Sequence, residues 1–213
     1  EAARRGAAGC IVIHTNASAG YPFQVIQSSH GRENFWLPFP DDRPTLGVRS
    51  WCSEDAARKL CGLGGHDLDE LRTRAEQGNQ PPVSLGVNVD LAIDNTLREI
   101  ESANVLGVLP GTDPEVRDEY VVLTAHFDHL GVGKPRNGDD IYNGAVDNAS
   151  GCAGMLALAR AAATLRERRR SMLFLAVTAE ESGLLGSKHY AENPTVDREK
   201  LIANVNVDGL NVW

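Results

Sequence analysis

At 213 residues, with 42% hydrophobic and 23% charged side chains, the chain is long for one ordinary domain, short for two full ones, and globular in composition. Its formal net charge of −8 argues against nucleic acid as the main partner, because a phosphate-binding surface needs a basic excess. No apolar run approaches the roughly 20 residues that cross a bilayer as a helix, so no membrane-spanning segment is expected.

The chain starts at Glu1, and "EAARRGAAGCIVIHT" is no signal peptide, since its apolar run is short and follows charges. It reads as a helix end feeding a strand. The last residues stop just after another strand, so both ends look like cuts through a longer protein. "CIVIHT" and "PTLGVRSW" read as strands. "SEDAARKLCGL" reads as a helix with Ser53 as N-cap, and "DLDELRTRAEQG" as a polar helix ending at Gly78. "VSLGVNVDLAI" alternates with period two, which predicts a half-buried strand.

From about Asn95 the character changes. "ANVLGVLPG", "EYVVLTA", "SMLFLAVTA" and "LIANVNV" read as strands, the last three apolar enough to be buried on both faces. In "NASGCAGMLALARAAATLRE", Cys152, Met155, Leu156 and Ala159 make one apolar helix face. A shorter helix covers "SGLLGSKHYAEN". Strands alternating with helices predict an α/β sheet with helices on both faces. "RERRR" (Arg166 to Arg170) reads as cations on a helix C-terminus plus a solvated turn. The four cysteines, Cys10, Cys52, Cys61 and Cys152, have no C-x-x-C spacing, which argues against a thiolate zinc site. Cys152 reads as a small core residue, and a bridge between Cys52 and Cys61 stays open.

In open α/β sheets, sites form beyond the carboxyl ends of the strands. His126-Phe127-Asp128-His129 follow one strand, Glu180 and Glu181 another, Asp208 a third, and Asp147 stands at the start of the long helix, where the dipole favours a carboxylate. Each has a bland reading. H-x-D alone is a weak signal, a Glu-Glu pair is usually a solvated helix start, Asp147 could be an N-cap, and Asp208-Gly209 a turn. Their joint placement at one sheet edge is harder to dismiss.

Converging carboxylates are tolerable if divalent cations neutralise them, and imidazole plus carboxylate without thiolate suits zinc. The charge count is consistent with two metals. Asp147, Glu181, Asp208 and a bridging hydroxide would balance two zinc ions, leaving Glu180 to shuttle a proton. Asp128 would accept a hydrogen bond from the other ring nitrogen of His126. His14, His30, His66 and His189 fall outside the pattern and read as surface or structural. Whether His129 supports the site is open from sequence.

"VVLTAHFDHLG", "GDDIYNGAVDNASG", "TAEESGLLGS" and "NVNVDG", in that order, closely resemble the di-zinc aminopeptidase family that includes aminopeptidase Y, bacterial leucyl aminopeptidases, glutamate carboxypeptidase and the transferrin receptor. The resemblance covers residues 95–213. It implies a mixed, mainly parallel sheet of the phosphorylase/hydrolase-like zinc exopeptidase kind. It also implies His126 and Asp208 as ligands of one zinc, Asp147 as the bridging ligand, Glu181 as a ligand of the second zinc, and Glu180 as general base. A cis peptide after Asp147 is implied too. Residues 1–94 resemble part of a protease-associated domain, a β-rich module whose proposed role is gating or substrate positioning.

The family completes its second zinc site with a histidine from further along, and none follows Asp208 here. The chain by itself is therefore expected to hold the second metal weakly and to be inactive or impaired. The function expected of the longer protein is removal of N-terminal residues from peptides, with water held between the metals attacking the carbonyl. The alternatives are an inactive receptor or binding homologue and a single-zinc, glutaminyl-cyclase-like acyltransferase. Relatives with the extra module are commonly exported, which leans toward a secreted or periplasmic location.

Overall fold

In this computed structural model the described residues are 1–31, 33–38, 44–78 and 81–210. They form two compact units, Glu1–Asn34 with Pro38–Leu97, and Phe35–Leu37 with Arg98–Trp213.

In the first unit, β1 (Gly9–His14) pairs in parallel with β2 (Val48–Ser53). A parallel pair needs a crossover, and α1 (Asn16–Ala19) and α2 (Gln24–His30) lie along that connection. Ser53 caps α3 (Glu54–Leu63) as its sequence predicts, its hydroxyl accepting from the Ala56 amide at 3.3 Å. Asp67 caps α4 (Leu68–Glu76), which ends two residues before Gly78. Ala57, Cys61 and Leu68 form the small core, with Cys52, Leu71 and Leu85 packed against it. Both Cys52 and Cys61 are free thiols, so the bridge left open by the sequence is not formed. Burial and the neighbouring Cys61 sulfur push the Cys52 thiol up.

Two features of this unit differ from expectation. Its regular structure among the described residues is two strands, four α-helices and one short 3-10 helix (Ala3–Arg5), where the resemblance implies a β-rich module. The period-two stretch "VSLGVNVDLAI" is not a strand, and Val89, Leu91 and Ile93 are exposed. Alternation prepares one face for burial, but a strand forms only when a neighbour takes its hydrogen bonds.

The second unit is built on a four-stranded sheet of order β3-β7-β4-β8. Its strands are β3 (Val105–Leu109), β4 (Tyr120–His126), β7 (Ser171–Val177) and β8 (Leu201–Asn206). A separate antiparallel hairpin, β5 (Gly131–Arg136) with β6 (Asp139–Tyr142), leaves the chain between β4 and the long helix. β4 runs parallel to both β7 and β8, and β3 is antiparallel to β7, so the sheet is mixed and mainly parallel. Val122, Leu173, Leu175 and Val177 pack on one face with Tyr190 of α6 (Leu185–Glu192). Leu123 and Ala125 pack on the other with Met155 of α5 (Gly151–Thr164). Helices therefore cover both faces, and burying a side chain such as Leu173 contributes about 1.5–3 kcal/mol.

Two further readings are corrected. β8 is an edge strand among the described residues, bonded only to β4, and most of it is exposed. Its apolar sequence resembles that of β4 and β7, but only a strand with neighbours and helices around it becomes buried. On α5 the buried positions are Gly151, Met155 and Ala162, while Leu156 is 62% exposed. The "RERRR" segment reads as expected, with Arg168 donating to the Ala162 and Leu165 carbonyls at the C-terminus of α5 and Arg166 and Arg169 exposed; Arg169 also pairs with Asp113 at 3.0 Å and Arg170 with Glu119 at 2.6 Å. No helix among the described residues is long and apolar enough to cross a membrane.

Candidate metal centre

Strand register determines which residues meet. Thr124 of β4 is level with Asn206 of β8, so His126 and Asp208, each two residues further on, stand side by side. The Val207 amide donates to the Thr124 carbonyl at 2.8 Å and carries the pairing past the strand end. On the other flank His126 is level with Val177 of β7, three residues before Glu180. Between them Ala179 adopts a left-handed φ of 52°, turning the chain sharply out of the strand.

Asp147 arrives from the start of α5. The backbone leaves helical geometry at Asp147 (φ −112°, ψ 95°) and Asn148 (φ −134°, ψ 37°), and the peptide between them is cis, as the resemblance implies. Asn148 is fully buried and fastens this turn to the end of β8. Its Nδ2 donates to the Val207 carbonyl at 2.9 Å, and its Oδ1 accepts from the amides of Gly151 and Gly209, each at 3.0 Å. A Cβ on Gly151 would stand 2.2 Å from Asn148 Oδ1 and 2.6 Å from the Val207 oxygen, so this close approach requires glycine. Asn148 was not among the residues expected at the site. It holds Asp147 and Asp208 in place without reaching toward them.

His126 is the centre of the cluster. Its Nε2 lies 2.9 Å from Asp147 Oδ1, 3.2 Å from Asp208 Oδ1 and 3.9 Å from Glu180 Oε2. Its Nδ1 lies 3.0 Å from the backbone carbonyl of Asp128. A carbonyl only accepts, so Nδ1 carries the proton and a neutral ring turns the Nε2 lone pair toward the acids. Lone pairs facing carboxylates require a proton or a cation between them. The expected partner of Nδ1 was the Asp128 carboxylate, and this is corrected: its Oδ1 is 3.8 Å away. That carboxylate instead accepts from the amides of Glu180 at 3.0 Å and Glu181 at 3.4 Å. One residue thus orients the imidazole with its backbone and the Glu180-Glu181 turn with its side chain.

The electrostatics follow from this crowding. Burial pulls the His126 pKa down, but the Asp128 carbonyl and the charges of Glu180 and Asp208 outweigh it, and the net shift is upward. Glu180 is also raised, first by burial and then by Glu181, Asp208 and Asp128, with His126 opposing.

Two donor groups result. His126, Asp147 and Asp208 each offer one ligand atom within 4.8 Å of the others, and so do His129, Asp147 and Glu181. Asp147 belongs to both. The structure therefore brings together Asp147, Asp208 and Glu180 around His126, and places Glu181 beside His129, 2.8 Å from its Nδ1. The signal that could have singled out His129 is its position three residues after His126 in the same strand-end loop. The donor set of imidazole and carboxylate without thiolate fits zinc, and the acceptor-against-acceptor contact at His126 Nε2 is what a cation would relieve.

An α/β sheet whose strand ends gather two imidazoles and five carboxylates defines a hydrolase-type scaffold with a candidate divalent-metal centre. The chain belongs to peptidase family M28, whose profile matches residues 104–212. It is 32% identical over 171 residues to the mouse aminopeptidase NAALADL1, covering 73% of this chain and 21% of that protein. It is 36% identical over 168 residues to a Pyricularia oryzae protein named "Probable zinc metalloprotease", covering 76% and 30% respectively. A crystal structure of Legionella LapA is 25% identical, covering 50% of this chain and 27% of that one, with a TM-score of 0.37. The chain thus spans about a fifth to a third of the length of these curated relatives.

Proposed function

We propose that this chain supplies most of the active centre of a di-zinc exopeptidase that removes N-terminal residues from peptides. The carrying observation is the pair of donor groups sharing Asp147. In this reading His126, Asp147 and Asp208 hold one zinc, and Asp147 with Glu181 hold the other. Bound zinc would supply Lewis-acid polarisation of the scissile carbonyl and acidify the attacking water.

The chain's own residues do the rest. Glu180 takes the proton from the attacking water and passes it to the leaving amine nitrogen as the peptide C–N bond breaks. Its raised proton affinity suits both halves of that transfer. Asp128 keeps Glu180 and Glu181 in register by holding both of their amides. Naming the reaction aminopeptidase draws on the relatives' names, and naming the metal zinc draws on the donor set and the fungal relative. The presence together of His126, Asp147, Glu181 and Asp208 favours an active enzyme over an inactive receptor homologue, and two donor groups favour two ions over one. For the first unit we propose a part in gating or substrate positioning, supported by its sequence resemblance to a protease-associated domain.

The test is metal removal from the full-length protein, followed by hydrolysis of a panel of aminoacyl-p-nitroanilides and their N-acetylated forms. Chelation is expected to abolish turnover of the free-amine substrates and added zinc to restore it. Undiminished turnover in metal-stripped protein would overturn the reading. Preference for the N-blocked substrates would overturn the aminopeptidase assignment.

A further inference from the structure

We infer that His129 is itself a metal ligand, binding the second cation through Nδ1 together with Asp147 and Glu181. This rests on the two-cation reading and adds a donor to it. The resemblance places the last imidazole of that site further along the polypeptide; the geometry places one within this chain.

Three observations carry it. His129 Nδ1 is buried and lies 2.8 Å from Glu181 Oε1, yet it makes no hydrogen bond among the described residues. A histidine placed only to steady a glutamate would offer it an in-line N–H. Two donors each about 2.0–2.1 Å from a tetrahedral zinc lie about 3.3 Å apart, and the contacts, 2.8 Å at His129 and 2.9 and 3.2 Å at His126, put the two imidazoles in the same relation to their carboxylates, each close enough to share one cation with them.

The second observation is how the ring is accommodated. Gly144, three residues before Asp147, has φ +66°, and a Cβ there would stand 2.7 Å from His129 Cβ and 2.9 Å from its Cγ. The backbone leading to the shared carboxylate is therefore shaped around the His129 side chain.

The third is the composition of the two groups. With His129 included, each contains one imidazole and two carboxylates, one of them the common Asp147. The histidine that the resemblance supplies from further along would be a fourth protein donor at the second site, so His129 adds to that set and does not replace it.

The experiment is a zinc titration in metal-buffered solution of the full-length protein and two variants, His129→Ala and His129→Gln, with bound metal counted by mass spectrometry. Glutamine keeps the ability to hydrogen-bond Glu181 but is a poor zinc ligand. The native protein is expected to bind two ions. Both variants should keep one at native affinity and lose more than about 100-fold on the other, beyond the roughly 10–100-fold range where outer hydrogen-bond partners act alone. A smaller loss in the glutamine variant would overturn the assignment of His129 while leaving the two-cation reading intact. A native protein that takes up no zinc would overturn that reading itself. Melting curves without metal would identify a variant that fails to fold, in which case the other variant decides.

Discussion

His14 and His126 make an instructive pair. Each is the last residue of a strand that runs parallel to its partner, and each is 3% exposed. The ring of His14 packs against Tyr21 at 5.3 Å and Phe23 at 5.6 Å, with Nε2 unbonded among the described residues. The ring of His126 faces Asp147, Asp208 and Glu180. Burial and strand-end position are common to both, so neither makes a site. The difference lies in the neighbours. Among the described residues β1 has one partner, whose end residue Ser53 is occupied in capping α3. β4 lies between two strands whose continuations carry acids, with a helix start supplying another.

That contrast can be broken experimentally. The largest effect is expected from Glu180→Gln in the full-length protein, which should lower kcat by about 10²–10⁴-fold while leaving bound zinc unchanged. Turnover near the native rate would remove Glu180 from proton transfer. His126→Ala comes next and should empty the metal position shared with Asp208. His14→Ala should leave zinc content untouched and lower unfolding stability by about 0.5–3 kcal/mol. Equal zinc contents in the two alanine variants would erase the distinction between the histidines. The smallest effect is expected from Asp128→Asn, which keeps the backbone carbonyl on His126 but turns one amide acceptor into a donor. Zinc affinity or turnover should fall by about 10–100-fold, and an unaltered variant would show that the Glu180-Glu181 turn holds itself.

Much of the site was legible because parallel strands deliver their ends to one edge, and the residue types that follow each strand can be read directly. His126, Glu180 and Asp208 are set by register, and Asp147 by its place at the start of α5. What was not legible depended on neighbours that sequence does not specify. β8 and β7 are both apolar, but one is an edge and the other interior. The segment 83–93 alternates well but has no partner strand among the described residues. Leu156 stands about 100° around α5 from its neighbour Met155, and with the sheet on the Met155 side it is left in solvent. The Asp128 carboxylate and carbonyl exchange the roles expected of them, because a residue two positions from the histidine can reach Nδ1 with its backbone. His129 was undecided because nothing in the local pattern shows that Glu181, arriving from another strand, would stop beside it.

The most direct test is a zinc-edge anomalous difference map from crystals of the zinc-loaded full-length protein. The account predicts two peaks roughly 3.5–4 Å apart, one on either side of the Asp147 carboxylate, with the first touching His126 and Asp208 and the second touching Glu181. A single peak, or peaks that leave Asp147 without a metal, would contradict it.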